Sequence, residues 1–276
     1  FTRAMMDHMG AMPRMLTELH LDVVNAKQRL SAPNLEHSAR DNDVRCCLLL
    51  PTASPGRVRR VNGIYEEASR HRRLCTLGTL HPDMEDLEGE MKRLLDRGRP
   101  GIKLSSFSQR FELLGDGARE MFEGLQGEGV VRGFRPKVVL DTYTRADEHF
   151  DADPRHLTTP ARLMEIVRRF RGLDFIGAHM GGLSAEPESL VATVRPEPNL
   201  YLDTSNAGHV LPREAFVRLV HAHGPERILF GTDWPWFGHA AEVPFVLDLL
   251  EAAGLDAGQR DAVMGGNALD LWGLWG

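Results

Sequence analysis

ILFGTDWP (residues 228–235) is an apolar run that closes on one group able to bind a metal or a proton, Asp233. FIGAHMGG (175–182) closes in the same manner on His179. Working outward, five further stretches share the form: DVRCCLLLP (43–51), LCTLGTLHP (74–82), RPGIKLSS (99–106), RPKVVLDTY (135–143) and PNLYLDTS (198–205). Continuous apolar runs without strict alternation suit parallel strands buried on both faces. Segments with helical spacing lie between them. GIYEEASRHRRL (63–74) is one. MEDLEGEMKRLLDRG (84–98) is another, with Met84, Leu87, Met91, Leu94 and Leu95 on one face and Gly98 as its stop. TPARLMEIVRRFRG (159–172) opens on Thr159 as cap and Pro160 at the first helical position. LPREAFVRLVHAHG (211–224) and EVPFVLDLLEAAG (242–254) complete the set.

Strands alternating with helices predict an α/β fold with a parallel sheet, either an open doubly wound sheet or a closed barrel. No Pro-, Gly- or Ser-rich linker divides the chain, so residues 1–276 are expected to form a single barrel domain. Seven strands are one short of the (β/α)8 TIM-type barrel, which takes about 250 residues. Residues 1–42 contain no strand-like run and are expected to be helix and loop. The missing strand is therefore expected to be the first, upstream of Phe1.

Composition narrows the function. The chain is 42% hydrophobic with a net charge of -6, so it can bury a sizeable core and carries no basic nucleic-acid footprint. The Arg57–Arg60 and Arg70–Arg73 runs are short enough to be solvated faces. No apolar run reaches membrane-spanning length. Three cysteines, Cys46, Cys47 and Cys75, lack framework spacing, which argues against a disulfide scaffold and for a reducing cytoplasm. Adjacent Cys46 and Cys47 should point to opposite faces of a strand, as small buried hydrophobes. A small-molecule substrate is expected, with neither nucleic acid nor membrane as partner, and a homo-oligomer is compatible with the chain. Gly-rich phosphate loops, GxSxG elbows and paired CxxC motifs are absent.

A barrel gathers the C-terminal ends of its strands at one mouth, where activity resides. Read in order, those ends carry His81, then Lys103 with Ser105 and Ser106, then Asp141, His179, Asp203 with Ser205, and Asp233. One such residue alone would cap a helix or satisfy a loop. A succession of them points to a site where carboxylates and imidazoles hold a divalent metal and ready a water. Arg110, in the loop after the run ending at Ser106, suits a substrate carboxylate as a two-pronged donor, or is a solvated loop residue. Lys103 points into the barrel or beneath a helix according to strand parity. Asp147 and His149 either reach the mouth or begin a surface helix. Trp234, Trp236 and His239 follow Asp233 and either wall the pocket or pack over the barrel end. His8, in MMDHMGAM, sits on a Met-rich segment that reads as a pocket or partner surface.

From about residue 43 onward the chain resembles the amidohydrolase superfamily. It is most similar to the metal-dependent hydrolase subgroup that includes aminocarboxymuconate-semialdehyde decarboxylase-like enzymes. IGAHMGG resembles the sixth-strand motif, YLDTSN the seventh-strand segment, LFGTDWP the eighth-strand motif and GGNALDLWGL the closing segment. The resemblance implies that His179 is a catalytic or ligating histidine and that Asp233 is metal ligand and general base. The family's first strand carries His-x-His, and no strand-like run here ends in it. Its fifth strand ends in a histidine ligand where this chain has Asp141, a harder donor that shifts preference from zinc toward manganese or magnesium.

These readings imply one divalent metal, zinc first, held by Asp141, His179 and Asp233. Arg110, His81 and Trp234 are the expected substrate contacts. The leading expectation is a metal-dependent hydrolase that activates water toward a small amide, ester or lactone. The alternatives are a non-oxidative decarboxylase or hydratase on the same scaffold, and a metal-free, non-enzymatic barrel.

Overall fold

The computed structural model describes residues 23–273. All seven expected runs form strands: β1 Cys47–Leu49, β2 Leu74–Thr76, β3 Gly101–Leu104, β4 Lys137–Leu140, β5 Asp174–Gly177, β6 Leu200–Asp203 and β7 Ile228–Leu229. Every pairing is parallel, β1 with β2 and then β3 through β7 in sequence order. A bridge between Gly78 and Ile102 carries the sheet from the end of β2 to β3. Among the described residues no pairing joins β7 to β1, so the strands curve into a (β/α) barrel with one open seam.

Among the described residues two short helices come first, α1 Val23–Arg29 and α2 Ala32–Asp41. One α-helix of seven residues or more then follows each strand in turn: α3 Val58–Ala68, α4 Leu87–Asp96, α5 Asp116–Arg132, α6 Pro160–Arg169, α7 Pro187–Thr193, α8 Arg213–His223 and α9 His239–Ala252. The expected stop and cap signals operate. Gly98 takes φ 69° just beyond α4, and the Thr159 hydroxyl accepts from the Arg162 amide at the start of α6. The longest helix, α5, gave no clear signal. Glycines 117, 124, 127 and 129 interrupt it, and Val130 and Val131 lie on its exposed side, which blurs any apolar stripe.

Strand parity sorts the core. Ile102, Leu104, Val138, Leu140, Phe175, Leu200, Leu202 and Ile228 face the helices and join the main hydrophobic cluster. The alternate residues Val139, Ile176 and Leu229 face inward and pack with Leu77. Lys103 lies between Ile102 and Leu104 in β3, in register with Val139, so its side chain enters the barrel and not the helical layer. A buried polar clasp locks α3 and α4 to the end of β2. Asn62 donates to the Thr79 carbonyl (2.9 Å) and to Glu90 (2.7 Å), and it accepts from the Thr79 amide (2.8 Å).

Helices α1 and α2 lie over the loop after β7. Arg29 donates to the Pro235 and Trp236 carbonyls, and Ser38 bonds His239. His8 and the Met-rich segment lie outside the described residues. The chain's one His-x-His, His221 and His223, occupies the last turn of α8, with His221 exposed and His223 bonded to the Val194 carbonyl. A helix end facing away from the strand-end residues makes it no counterpart of a first-strand ligand pair.

Candidate active site

The inward parity of β4 carries Asp141 to the mouth, one layer beyond Val139. Its neighbour across β3 is Ser105, whose hydroxyl donates to Asp141 Oδ2 at 2.9 Å. Just after β5 the chain turns into a left-handed residue, His179, with φ 55°. Such a backbone costs about 1–3 kcal/mol in a non-glycine residue and persists only where the surroundings enforce it. Here Asp203, at the end of β6, does so: its Oδ1 accepts from the His179 amide and from the Ser205 amide, each at 3.0 Å, and from the Ser205 hydroxyl.

The ring of His179 is fixed as well. Its Nδ1 lies 2.7 Å from the Ser205 carbonyl, which accepts only, so Nδ1 carries a hydrogen and donates. That leaves Nε2 facing Asp141 Oδ1 at 3.5 Å. A backbone carbonyl behind an imidazole, with the other nitrogen turned to a carboxylate, is the arrangement that orients a ligand or a proton carrier. Burial opposes a charge on His179. Asp141, Asp233 and Asp203 outweigh burial and raise its pKa to about 9. Burial likewise opposes the charge on Asp141, yet the Lys103 ammonium, His179 and the Ser105 hydroxyl hold its carboxyl below the ordinary range.

Asp233 behaves in the opposite way. It is half-buried, its backbone is left-handed with φ 56°, and no hydrogen-bond donor among the described residues reaches its carboxylate. Burial raises its pKa and Asp141 adds to the rise, while His179 and Lys103 offset part of it. Lys103 is itself buried and makes no direct ion pair among the described residues, although its charge acts on both carboxylates. Asn206, next to Ser205, is left-handed and buried, and its Oδ1 has no partner among the described residues.

The structure thus brings Asp141 and His179 into contact and sets Asp233 within electrostatic reach of both. Donor chemistry suits a divalent cation, but no group of three or more His, Cys, Asp or Glu side chains among the described residues is arranged to hold one. The remaining expected residues lie elsewhere. His81 is buried with both ring nitrogens committed to backbone, Nε2 donating to the Gln109 carbonyl (2.8 Å) and Nδ1 accepting from the Asp83 amide (3.1 Å). It anchors the loop that follows β2. Trp234 stacks on His239 and lines an open recess of ≈ 360 Å³ together with Arg29, Asn34 and Ser38. Asp141, His179 and Asp233 are not among the residues that line that recess. Arg110 is exposed, with φ 64°, and makes no contact with the three. His149 is buried against Tyr143 on a short helix, Ala146–Phe150. Asp203, Ser205, Ser105 and Lys103 carry no assigned role in the sequence, and their position at strand ends was the only available signal.

A parallel barrel with titratable residues at the C-terminal ends of its strands defines an enzyme of the TIM-barrel class. The amidohydrolase family model matches residues 57–274, and the chain belongs to that family. No curated protein sequence matches the chain. Among solved structures, it is similar to a dihydroxybenzoic acid decarboxylase from Polaromonas, solved with manganese and 2-nitroresorcinol. The two share 19% identity at a TM-score of 0.69, over 98% of this chain and 92% of that one. A 5-carboxyvanillate decarboxylase from Novosphingobium aromaticivorans, also solved with manganese, has 15% identity and a TM-score of 0.66, over 99% and 94%. A putative 2-pyrone-4,6-dicarboxylic acid hydrolase from Pseudomonas putida has 20% identity and a TM-score of 0.58, over 91% and 92%. At these identities the likeness is one of fold. No helix of the described residues is long and apolar enough to cross a membrane.

Proposed function

We propose that this chain is a non-oxidative decarboxylase of a small hydroxylated aromatic acid. The observation that carries this reading is Asp233, a carboxyl whose surroundings favour its proton and which no donor among the described residues engages. Decarboxylation breaks the bond from a ring carbon to its carboxylate, releases CO2 and leaves an electron pair on that carbon. The Asp233 proton restores a C–H bond there, and solvent returns a proton to the carboxylate. His179 and Lys103 supply fixed positive charge beside an anionic substrate. Asn206 Oδ1 is available to accept from a substrate hydroxyl. The reading also draws on the two decarboxylases of the same fold.

A divalent cation is the proposed cofactor. Asp141 and His179 would hold it, Asp233 joining them when ionised, with further donors from outside the described residues. When bound it would supply charge that holds substrate oxygens. Manganese precedes zinc here, because two of the three donors are hard carboxylates and two neighbours were solved with manganese. A free small-molecule substrate, association between copies and residence in a reducing cytoplasm belong to the same proposal.

Hydrolysis of a small ester or lactone is the second reading, favoured by the 2-pyrone neighbour. There an ionised Asp233 would take a proton from water and His179 would steady the oxyanion. The test is CO2 release by manganese-supplemented protein from 2,6-dihydroxybenzoate and 5-carboxyvanillate, run beside ring opening of 2-pyrone-4,6-dicarboxylate. CO2 release that falls by at least about 100-fold in a folded Asp233→Asn variant is expected. Ring opening without CO2 release would overturn the decarboxylase in favour of the hydrolase.

A further inference from the structure

Cys46, just before the edge strand β1, and Cys47, its first residue, meet different surroundings. Cys47 Sγ lies 3.6 Å from His239 Nε2, beside α9. Cys46, on the opposite face, places its sulfur 2.7 Å from Cys75 Sγ of β2. Leu48 and Leu77 share that face, and both pack in the barrel interior. The two thiols are 29 residues apart in sequence and half-buried. A disulfide bond is about 2.05 Å long, so closing this pair takes a sulfur movement of only ~0.7 Å.

The second observation is Arg99, just before β3. Its Nε is buried without a partner among the described residues, and its Nη2 donates to the Ser69 hydroxyl at a long 3.3 Å. Its charge acts on Cys75. The hydrogen bond from Cys46 and that guanidinium bring the Cys75 thiol down to about 7, while the Cys75 sulfur and burial push the Cys46 thiol up. One sulfur is thus set to be the attacking thiolate and the other to be the resolving thiol.

We propose that Cys46 and Cys75 are a redox modification site, closed to a disulfide by hydrogen peroxide and reopened by a dithiol. The Cys75 thiolate attacks a peroxide oxygen. An S–O bond forms, the O–O bond breaks, and the departing hydroxide takes a proton to become water. The Cys46 sulfur, releasing its proton, then attacks the sulfenic sulfur. An S–S bond forms, the S–O bond breaks and a second water leaves. Two thiols have lost two electrons and the peroxide has gained them. A dithiol reverses the bond by exchange. Cys47, on the other face, takes no part.

The test uses the full, reduced chain treated with hydrogen peroxide, then alkylated under denaturing conditions and weighed. Free thiols should fall from three to one, with a mass loss of two hydrogens. Non-reducing peptide mapping should recover Cys46 joined to Cys75, a readout that needs no variant. Cys47→Ser should still form the bond. Cys46→Ser should instead accumulate oxygen on Cys75, and a dithiol should restore all three thiols of the wild type. Three thiols surviving peroxide, oxygen added to the wild-type Cys75 without a bridge, or Cys47 found in the linked peptide would each overturn the proposal.

Discussion

Asp203→Ala is the sharpest test of how the site is held. In the folded protein one oxygen of Asp203 receives the amides of His179 and Ser205 and the Ser205 hydroxyl. The hydroxyl can turn to another acceptor, but the two buried amides cannot. Leaving each unsatisfied costs about 1–3 kcal/mol. Relaxation of His179 from φ 55° would recover part of this, so a net loss of about 2–4 kcal/mol is expected. That relaxation would also withdraw the ring from the Ser205 carbonyl and from Asp141. A displacement near 1 Å costs about 100-fold in rate. Asp203→Asn keeps an oxygen acceptor in place, so it should lose only about 1 kcal/mol, since a neutral acceptor bonds about half as strongly. Urea denaturation measures the first quantity. Turnover per folded molecule, on whichever substrate of the panel is active, measures the second. An Asp203→Ala variant within about 0.5 kcal/mol of wild type would refute the reasoning, because that is the range of surface substitutions. So would equal losses of turnover in the two variants.

Three further outcomes are expected. In metal-free protein, the folded His179 keeps its proton up to about pH 9, whereas the unfolded residue releases it near 6.5. This contribution, on the order of 3 kcal/mol, is therefore complete below pH 6.5 and lost as pH rises through 9. Urea midpoints should decline across that window and flatten in Asp141→Asn, and a flat wild-type profile would contradict the assignment. Asn62→Ala strips the Thr79 amide and carbonyl of their partner and should cost about 2–4 kcal/mol, read as a lowered melting temperature. His81→Ala should lose about 1–3 kcal/mol while leaving turnover per folded molecule unchanged, and a selective rise in KM would instead restore His81 as a substrate contact.

Much of this molecule was legible in the chain because it depends on local pattern. Each of the seven apolar runs became a strand, since a strand buried on both faces must be apolar throughout. Thr159 and Gly98 ended helices where their side-chain oxygen and left-handed backbone required. His179, Asp141 and Asp233 stood out because each closes such a run. α5 escaped notice because packing, and not its own glycine-broken pattern, holds it in place. What the pattern could not decide was direction and partnership. Lys103 needed the register of β3 against β4 before its parity had meaning. His81 occupies a strand end like His179, but backbone from two neighbouring loops takes both its nitrogens, and only the folded chain brings Gln109 to it. Asp203 reads as one more rim carboxylate until the turn after β5 delivers the His179 amide to it. Cys46 and Cys75 show no spacing in sequence, and β1 and β2 alone set them 2.7 Å apart. Side-chain type and periodicity are properties of neighbours along the chain, whereas pairing across 20 to 30 residues is set by strand register and loop closure.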